Sequence, residues 1–176
     1  MKFTKYHKYG AYHWKWYNNP KKYKRYRPHV NKIVNWVKEK NVLDIGAGDG
    51  LITHHVKAIG IDNCEKAIQL AKKKGVNIIL ADVYDIPYKD KEFDSALMID
   101  VLEHLEFPEK ALKEVSRVIK KYLYIAVPNN DIGDEEFHYR KFDKDELKNF
   151  VESQGFQLEG KIDMEYNKIY AKFIKK

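Results

Sequence analysis

The 176-residue chain has a single cysteine, Cys64, so neither an intrachain disulfide nor a thiolate metal cluster can hold it together. It has no apolar run near the ~18–20 residues that a membrane-spanning helix requires. Its first ten residues, MKFTKYHKYG, lack the apolar stretch of a secretory signal. Acidic side chains are missing before Glu39, a stretch that holds eleven lysines and arginines. Together these absences point to a cytoplasmic protein, stabilised by an ordinary apolar core.

Apolar residues at 44% and aromatics at 14% can build such a core, and the length suits one domain rather than two. The net charge of +7 is unevenly spread, because the residues beyond Lys38 carry 22 basic against 26 acidic side chains. A basic, aromatic arm (1–27) therefore precedes a mildly acidic domain (28–176). No repeat or low-complexity linker interrupts it.

From Pro28 onward, helical and strand-like patterns alternate. Pro28–Lys40 reads as a helix, with Val30, Ile33, Val34 and Val37 on one stripe. Asn41–Ala47, Ala58–Asp62, Val76–Ala81, Phe93–Ile99 and Tyr122–Val127 read as strands. Helices are expected over Cys64–Lys74, stopped by Gly75, and over Pro108–Lys120. Asp143 and Glu146 have capping-box spacing and open another, ended by Gly155. The tail, Phe156–Ile174, reads as a β-hairpin at the sheet edge around Tyr166-Asn167. This alternation predicts an α/β fold, a mostly parallel sheet with helices on both faces. Ligands of such sheets bind beyond the C-terminal strand ends.

The strongest motif lies at such an end. Asp44-Ile45-Gly46-Ala47-Gly48-Asp49-Gly50 follows the first strand, and its glycines allow a sharp turn and a close ligand approach. Asp62 ends the second strand, where a carboxylate can accept hydrogen bonds from both ribose hydroxyls. Asp82 ends the third, in reach of the exocyclic amine of an adenine. A nucleoside-bearing ligand accounts for all three. A phosphate is disfavoured by Asp44, by the lack of Lys or Arg in the loop, and by the absence of Gly-Lys-Ser/Thr.

With these residues the sequence resembles the class I S-adenosylmethionine-dependent methyltransferases, in their small type 11 form. VLDIGAGDG is similar to their first motif, AIGID to the strand bearing the ribose acid, and ILADVYDIPYKDKEFDSALMIDVLEHL to their adenine and fourth-strand motifs. The resemblance implies a Rossmann-like, seven-stranded sheet with an antiparallel C-terminal strand and S-adenosylmethionine as cofactor. It implies Gly46, Ala47, Gly48 and Gly50 on the methionine and ribose side, with Asp44 at the amino group. Asp62 and Asn63 would take the ribose, Asp82 and Val83 the adenine, and Asp100 would close the cofactor site. One departure stands out: only Leu51–Lys57 separates Gly50 from the second strand, so the first helix must be short, with His54 and His55 on its surface.

The acceptor end carries less signal. No Asn/Asp-Pro-Pro-Tyr/Phe follows the fourth strand, against amino methylation of adenine or glutamine, and Cys64 is misplaced for cytosine C5 chemistry. The catalytic candidates are Glu103, His104 and His138, the last within Phe137-His138-Tyr139-Arg140-Lys141-Phe142. Asp-x-x-Glu-His with a distant His resembles the cation-binding pattern of methyltransferases of polyprenyl catechols and of small-RNA 3′ ends. No metal is nevertheless expected; Asp100, Glu103, His104 and His138 would be its ligands if one bound. The arm supplies Tyr12, His13, Trp14, Trp16 and Tyr17 as candidate substrate contacts. The expected reaction is methylation of an oxygen or nitrogen of a small or medium-sized metabolite, such as a glycan or isoprenoid. The alternatives are RNA (ribose hydroxyl or base) and a non-catalytic nucleoside-binding module.

Overall fold

The computed structural model describes residues 5–129 and 138–176, so residues 1–4 of the arm and Phe137 of the second histidine motif lie outside it. Helices α1 (Lys5–Tyr9) and α2 (Tyr12–Asn18) form the arm and lead into α3 (Tyr26–Trp36). Next come β1 (Val42–Ile45), α4 (Leu51–Val56), β2 (Ile59–Asp62), α5 (Glu65–Lys72), β3 (Ile78–Leu80) and β4 (Phe93–Ile99). A single 3-10 turn, Leu102–His104, precedes α6 (Pro108–Val118) and β5 (Ile119–Pro128). The chain ends with α7 (Lys144–Ser153), β6 (Phe156–Leu158), β7 (Asp163–Glu165) and β8 (Lys168–Lys175).

The strand order is β3-β2-β1-β4-β5-β8-β6, with β7 also paired to β8. β1 to β5 run parallel and β8 runs against β5. The expected seven places are filled by eight strands, because β6 and β7 share the last place along β8. The tail forms the expected hairpin about Tyr166-Asn167, but only one of its strands, β7, is at the edge. β8 buries Ile169, Ala171 and Phe173 and lies inside the sheet, whereas the short, more polar β6 and β7 form the edge. Tyr166 and Asn167 make the two-residue turn between β7 and β8, both with positive φ (53° and 62°), as a type I′ hairpin demands.

Alternation along the strands divides the core. Leu43, Ala96, Met98 and Ile125 pack under α6 and α7, whose Leu112, Val115, Leu147 and Val151 are buried. Leu97, Ile99, Tyr124 and Ala126 face the other way, against Ile33 of α3 and Ile52 and Val56 of α4. Both faces are covered at the centre of the sheet, so the C-terminal halves of β4 and β5 are near-continuous apolar runs.

Several element boundaries differ from expectation, and two of them have a plain physical cause. α3 stops at Trp36 instead of Lys40, because Val37 turns extended (φ −76°, ψ 125°) and is buried between the helix and the sheet. Glu39 then ties this segment down by accepting a 2.8 Å hydrogen bond from the Tyr124 hydroxyl. α6 stops at Val118 because Ile119 is drawn into the sheet opposite Phe93. The strand order reverses between β1 and β4, and a cleft opens at the C-terminal ends of these two strands.

Candidate active site

The glycine loop has the backbone that its sequence calls for. Gly46 and Gly48 have φ of +68° and +58°, in the left-handed region. A Cβ on Gly46 would fall 2.5 Å from a Val101 methyl, and one on Gly48 would fall 2.0 Å from the Tyr6 hydroxyl. The arm therefore rests directly on the loop. Gly50 opens α4, which has six residues, the short first helix expected from the spacing.

The acids of the motif separate into two groups. Asp44 is 2% exposed, and its carboxylate accepts a hydrogen bond of 2.5 Å from the Thr53 hydroxyl. Burial pushes its pKa from 3.8 to about 7. Asp62 accepts from the backbone N–H of Gly48 at 2.8 Å and of Cys64 at 2.7 Å, and burial raises its pKa as well. Both line the cleft, with Gly46, Ala47, Asn63 and Val83. Asp82 does not: it is exposed and accepts from the Tyr84 N–H, so its side chain closes a turn while its neighbours Ala81 and Val83 form the wall. Gly48 and Gly50 are also off the wall, Gly48 because Tyr6 covers it.

Asp100 ends β4 in a left-handed conformation (φ 57°), rare for a residue with a side chain. Its carboxylate pairs with Lys168 Nζ at 2.5 Å; burial acts against ionisation, but Lys168 holds the pKa below normal. Beyond it, Glu103, His104 and His138 converge, with ligand atoms within 4.8 Å of one another. The imidazoles meet edge to face at 4.7 Å between centroids, and Glu103 O accepts from the Tyr139 N–H, which joins the two histidine segments. The Glu103 carboxyl is 2% exposed and has no hydrogen-bond partner among the described residues. Burial, then the charge of Asp100, raises its pKa from 4.5 to about 8. Asp100, committed to Lys168, is not part of this cluster.

The arm presents two faces. Tyr12, His13 and Trp16 of α2 line the cleft. Trp14 and Tyr17 point the other way, onto His54 and His55 of α4, which are thereby a docking platform rather than a bare surface. The clasp is Asp49. Its carboxylate, fully buried, accepts from the His13 backbone N–H and pairs with His13 Nδ1, each at 3.1 Å, while its carbonyl accepts from Trp14 Nε1 at 2.8 Å. Tyr6 and Tyr12 stack at 5.1 Å and pack against Ala67 of α5.

Five further residues of the cleft, Tyr6, Tyr26, His29, Asp49 and Lys168, are not singled out by the sequence. Asp49 alone carried a signal, an acid between two glycines of the motif. Tyr6 and Tyr26 belong to the aromatic arm but to no motif, and Lys168 and His29 reach the cleft only through tertiary packing. The whole cleft has a volume of ≈ 1310 Å³.

Residues 43–126 match the family model described as a methyltransferase domain. An uncharacterised protein of Methanocaldococcus jannaschii is 34% identical over 98 residues, 54% of this chain and 47% of that one. A protein of Mus musculus named probable tRNA methyltransferase 9B is 31% identical over 84 residues, 44% of this chain but only 19% of that one. The aligned stretch thus spans less than half the length of these relatives. A Thermotoga maritima crystal structure, described as a possible histamine N-methyltransferase, superposes with a TM-score of 0.73 at 21% identity. The match covers 93% of this chain and all of that one, and shows a shared fold. The glycine loop and the strand-end acids Asp62 and Asp82 lie within the stretch that matches the methyltransferase-domain model, and the sheet is the fold shared with the Thermotoga structure.

Proposed function

We propose that the chain methylates an oxygen or nitrogen of a small or medium-sized metabolite, of the glycan or isoprenoid kind, with S-adenosylmethionine as donor. The residues present fit that donor. Asp44 is a carboxylate on the cleft wall whose pKa is raised by burial, and the amino group of the donor would offset that cost with a positive charge. Gly46 and Ala47 offer side-chain-poor backbone at the cleft wall, Asp62 and Asn63 would take the ribose, and Val83 the adenine. When bound, the donor supplies an electrophilic methyl group on a sulfonium. The protein has to hold the acceptor in line, exclude water and receive the proton released. Tyr12, His13 and Trp16 roof the cleft against water, and Glu103, His104 and His138 are placed to hold the acceptor and take its proton.

The observation that favours a small acceptor over RNA is the state of the arm's aromatic faces. Tyr6 stacks on Tyr12, Tyr12 lies 4.1 Å from His13, and His13 stacks on Tyr26. Rings already packed on one another are not open platforms for bases. Arg27 is engaged too, over the Tyr17 ring and hydrogen-bonded to its carbonyl.

The test is transfer of tritiated methyl from S-adenosylmethionine to cell extract divided into RNA, lipid, glycan, small-metabolite and protein pools. Label in the lipid, glycan or small-metabolite pool is expected, and Glu103→Gln and His104→Ala should each remove most of it. Label confined to RNA overturns the acceptor class. Heat of cofactor binding without label in any pool points to a non-catalytic module.

A further inference from the structure

His29 belongs to no motif, yet it is among the most unusual residues of the cleft. It lies on α3 and is 1% exposed. Its Nδ1 is 2.6 Å from the hydroxyl of Tyr170, a β8 residue buried in the core and absent from the cleft wall. Its other nitrogen, Nε2, is buried without a partner, although His29 itself is part of the wall. With Nδ1 taken up by Tyr170, Nε2 is the imidazole edge left without a partner, on a residue that contributes to the cleft wall.

The hydrogen-bond count sets which tautomer does so. The Tyr170 hydroxyl has one proton and, among the described residues, one partner, His29 Nδ1. Burial keeps that proton on the phenol. If Tyr170 donates to Nδ1, a single group is left over, an N–H at Nε2. If Nδ1 donates instead, both the phenolic proton and the Nε2 lone pair are left over, and every buried orphan is costly. The first arrangement is favoured. Burial, against the pull of Asp100 and with a push from Lys168, lowers the His29 pKa to about 3, so the ring stays neutral.

A second donor stands nearby. Lys168 Nζ has three protons, Asp100 occupies one of its bonding directions, and Lys168 also lines the cleft. We propose that His29 Nε2–H, with Lys168 beside it, is the subsite that anchors an oxygen of the methyl-acceptor molecule, a carboxylate or carbonyl, and discriminates against an ammonium at that position. This deepens the reading given above and rests on it, since it presumes that this cleft holds the acceptor.

The experiment uses the full chain saturated with S-adenosylhomocysteine, whose binding heat is measured first; absence of that heat would defeat the methyltransferase reading itself. Long-range 1H–15N correlation then reads the His29 ring, assigned by loss of its signals in His29→Gln. The expected result is a neutral ring protonated at Nε2. Benzoate and benzamide, which put a carboxylate or a carbonyl beside an aromatic ring, should shift the Nε2–H signal, and benzylamine should not. Tyr170→Phe, a milder change at the same contact, should mix the two tautomers and lose the preference for benzoate. A ring protonated at Nδ1, a shift with benzylamine, or no shift with any of the three probes would overturn the proposal.

Discussion

Asp44 shows how a single residue couples the site to stability. Its pKa is 3.8 as an ordinary aspartate and about 7 in the folded chain. Folding therefore retains a proton that the unfolded chain releases, and stability falls as pH rises from about 4 to about 7, by on the order of 4 kcal/mol. Asp44→Asn removes this penalty, so its melting temperature should exceed that of the parent at pH 8 and match it near pH 4. The same residue should set cofactor affinity with the opposite slope. S-adenosylhomocysteine carries an ammonium that is best met by ionised Asp44, so its affinity should rise about tenfold per pH unit up to about pH 7 and then level. Calorimetry between pH 5 and 8 checks this. A flat profile in the parent would show that Asp44 does not meet the ammonium.

Among the elements, α7 has the plainest local cause. Asp143 accepts from the N–H groups of Asp145 and Glu146, both at 2.8 Å, and the Glu146 carboxylate takes the Asp143 N–H in return. α7 brings Leu147 and Val151 to the sheet, so loss of the cap reaches the core. Asp143→Ala should lower stability by about 1 kcal/mol, a fall in Tm of roughly 2–4 °C for a chain of this size. Thermal unfolding checks it, and S-adenosylhomocysteine affinity should be unchanged, since α7 supplies no cleft residue. The arm is held differently. α1 and α2 are five and seven residues long, too short to be stable helices alone, and they exist because Asp49, Ala67 and α4 receive them.

For the whole molecule, the charge asymmetry and the cleft roof are one feature. The basic arm covers a cleft whose floor carries Asp44, Asp62, Asp100 and Glu103. The two clusters that sandwich the sheet contain no residue before α3, so the domain does not need the arm for its core. Removal of residues 1–20 should leave a cooperatively folded protein and weaken cofactor binding by no more than about 2 kcal/mol, roughly the burial of one large side chain. Methyl transfer should be lost. Full-rate methylation by the truncated chain would show that the arm takes no part in the acceptor site, which would then rest on Glu103, His104 and His138.

The sequence by itself determined whatever is local. Short, near-continuous apolar runs give the strands, Gly46 and Gly48 give the loop, Asp143 and Glu146 give a cap, and Tyr166-Asn167 a turn. In each case the cause lies within a few residues, so the pattern suffices. That Asp44, Asp62, Glu103 and His104 share one cleft was legible because strand ends in a parallel sheet converge whatever the details of packing. Other features were decided only when distant segments met. Asp82 stands outside the cleft because its own turn claims its carboxylate, which strand-end position does not reveal. β8 lies inside the sheet because β5 pairs with one of its edges and β6 and β7 with the other, while the layers on both faces bury its side chains. Trp14 and Tyr17 bind the arm to α4 and leave the cleft to Tyr12, His13 and Trp16, since a helix turns residues two apart to different sides. His29 is separated from Tyr170 by 141 positions, and only the packing of α3 on the assembled sheet brings them together. A buried nitrogen left without a partner is a property of packing, and no spacing in a sequence encodes it.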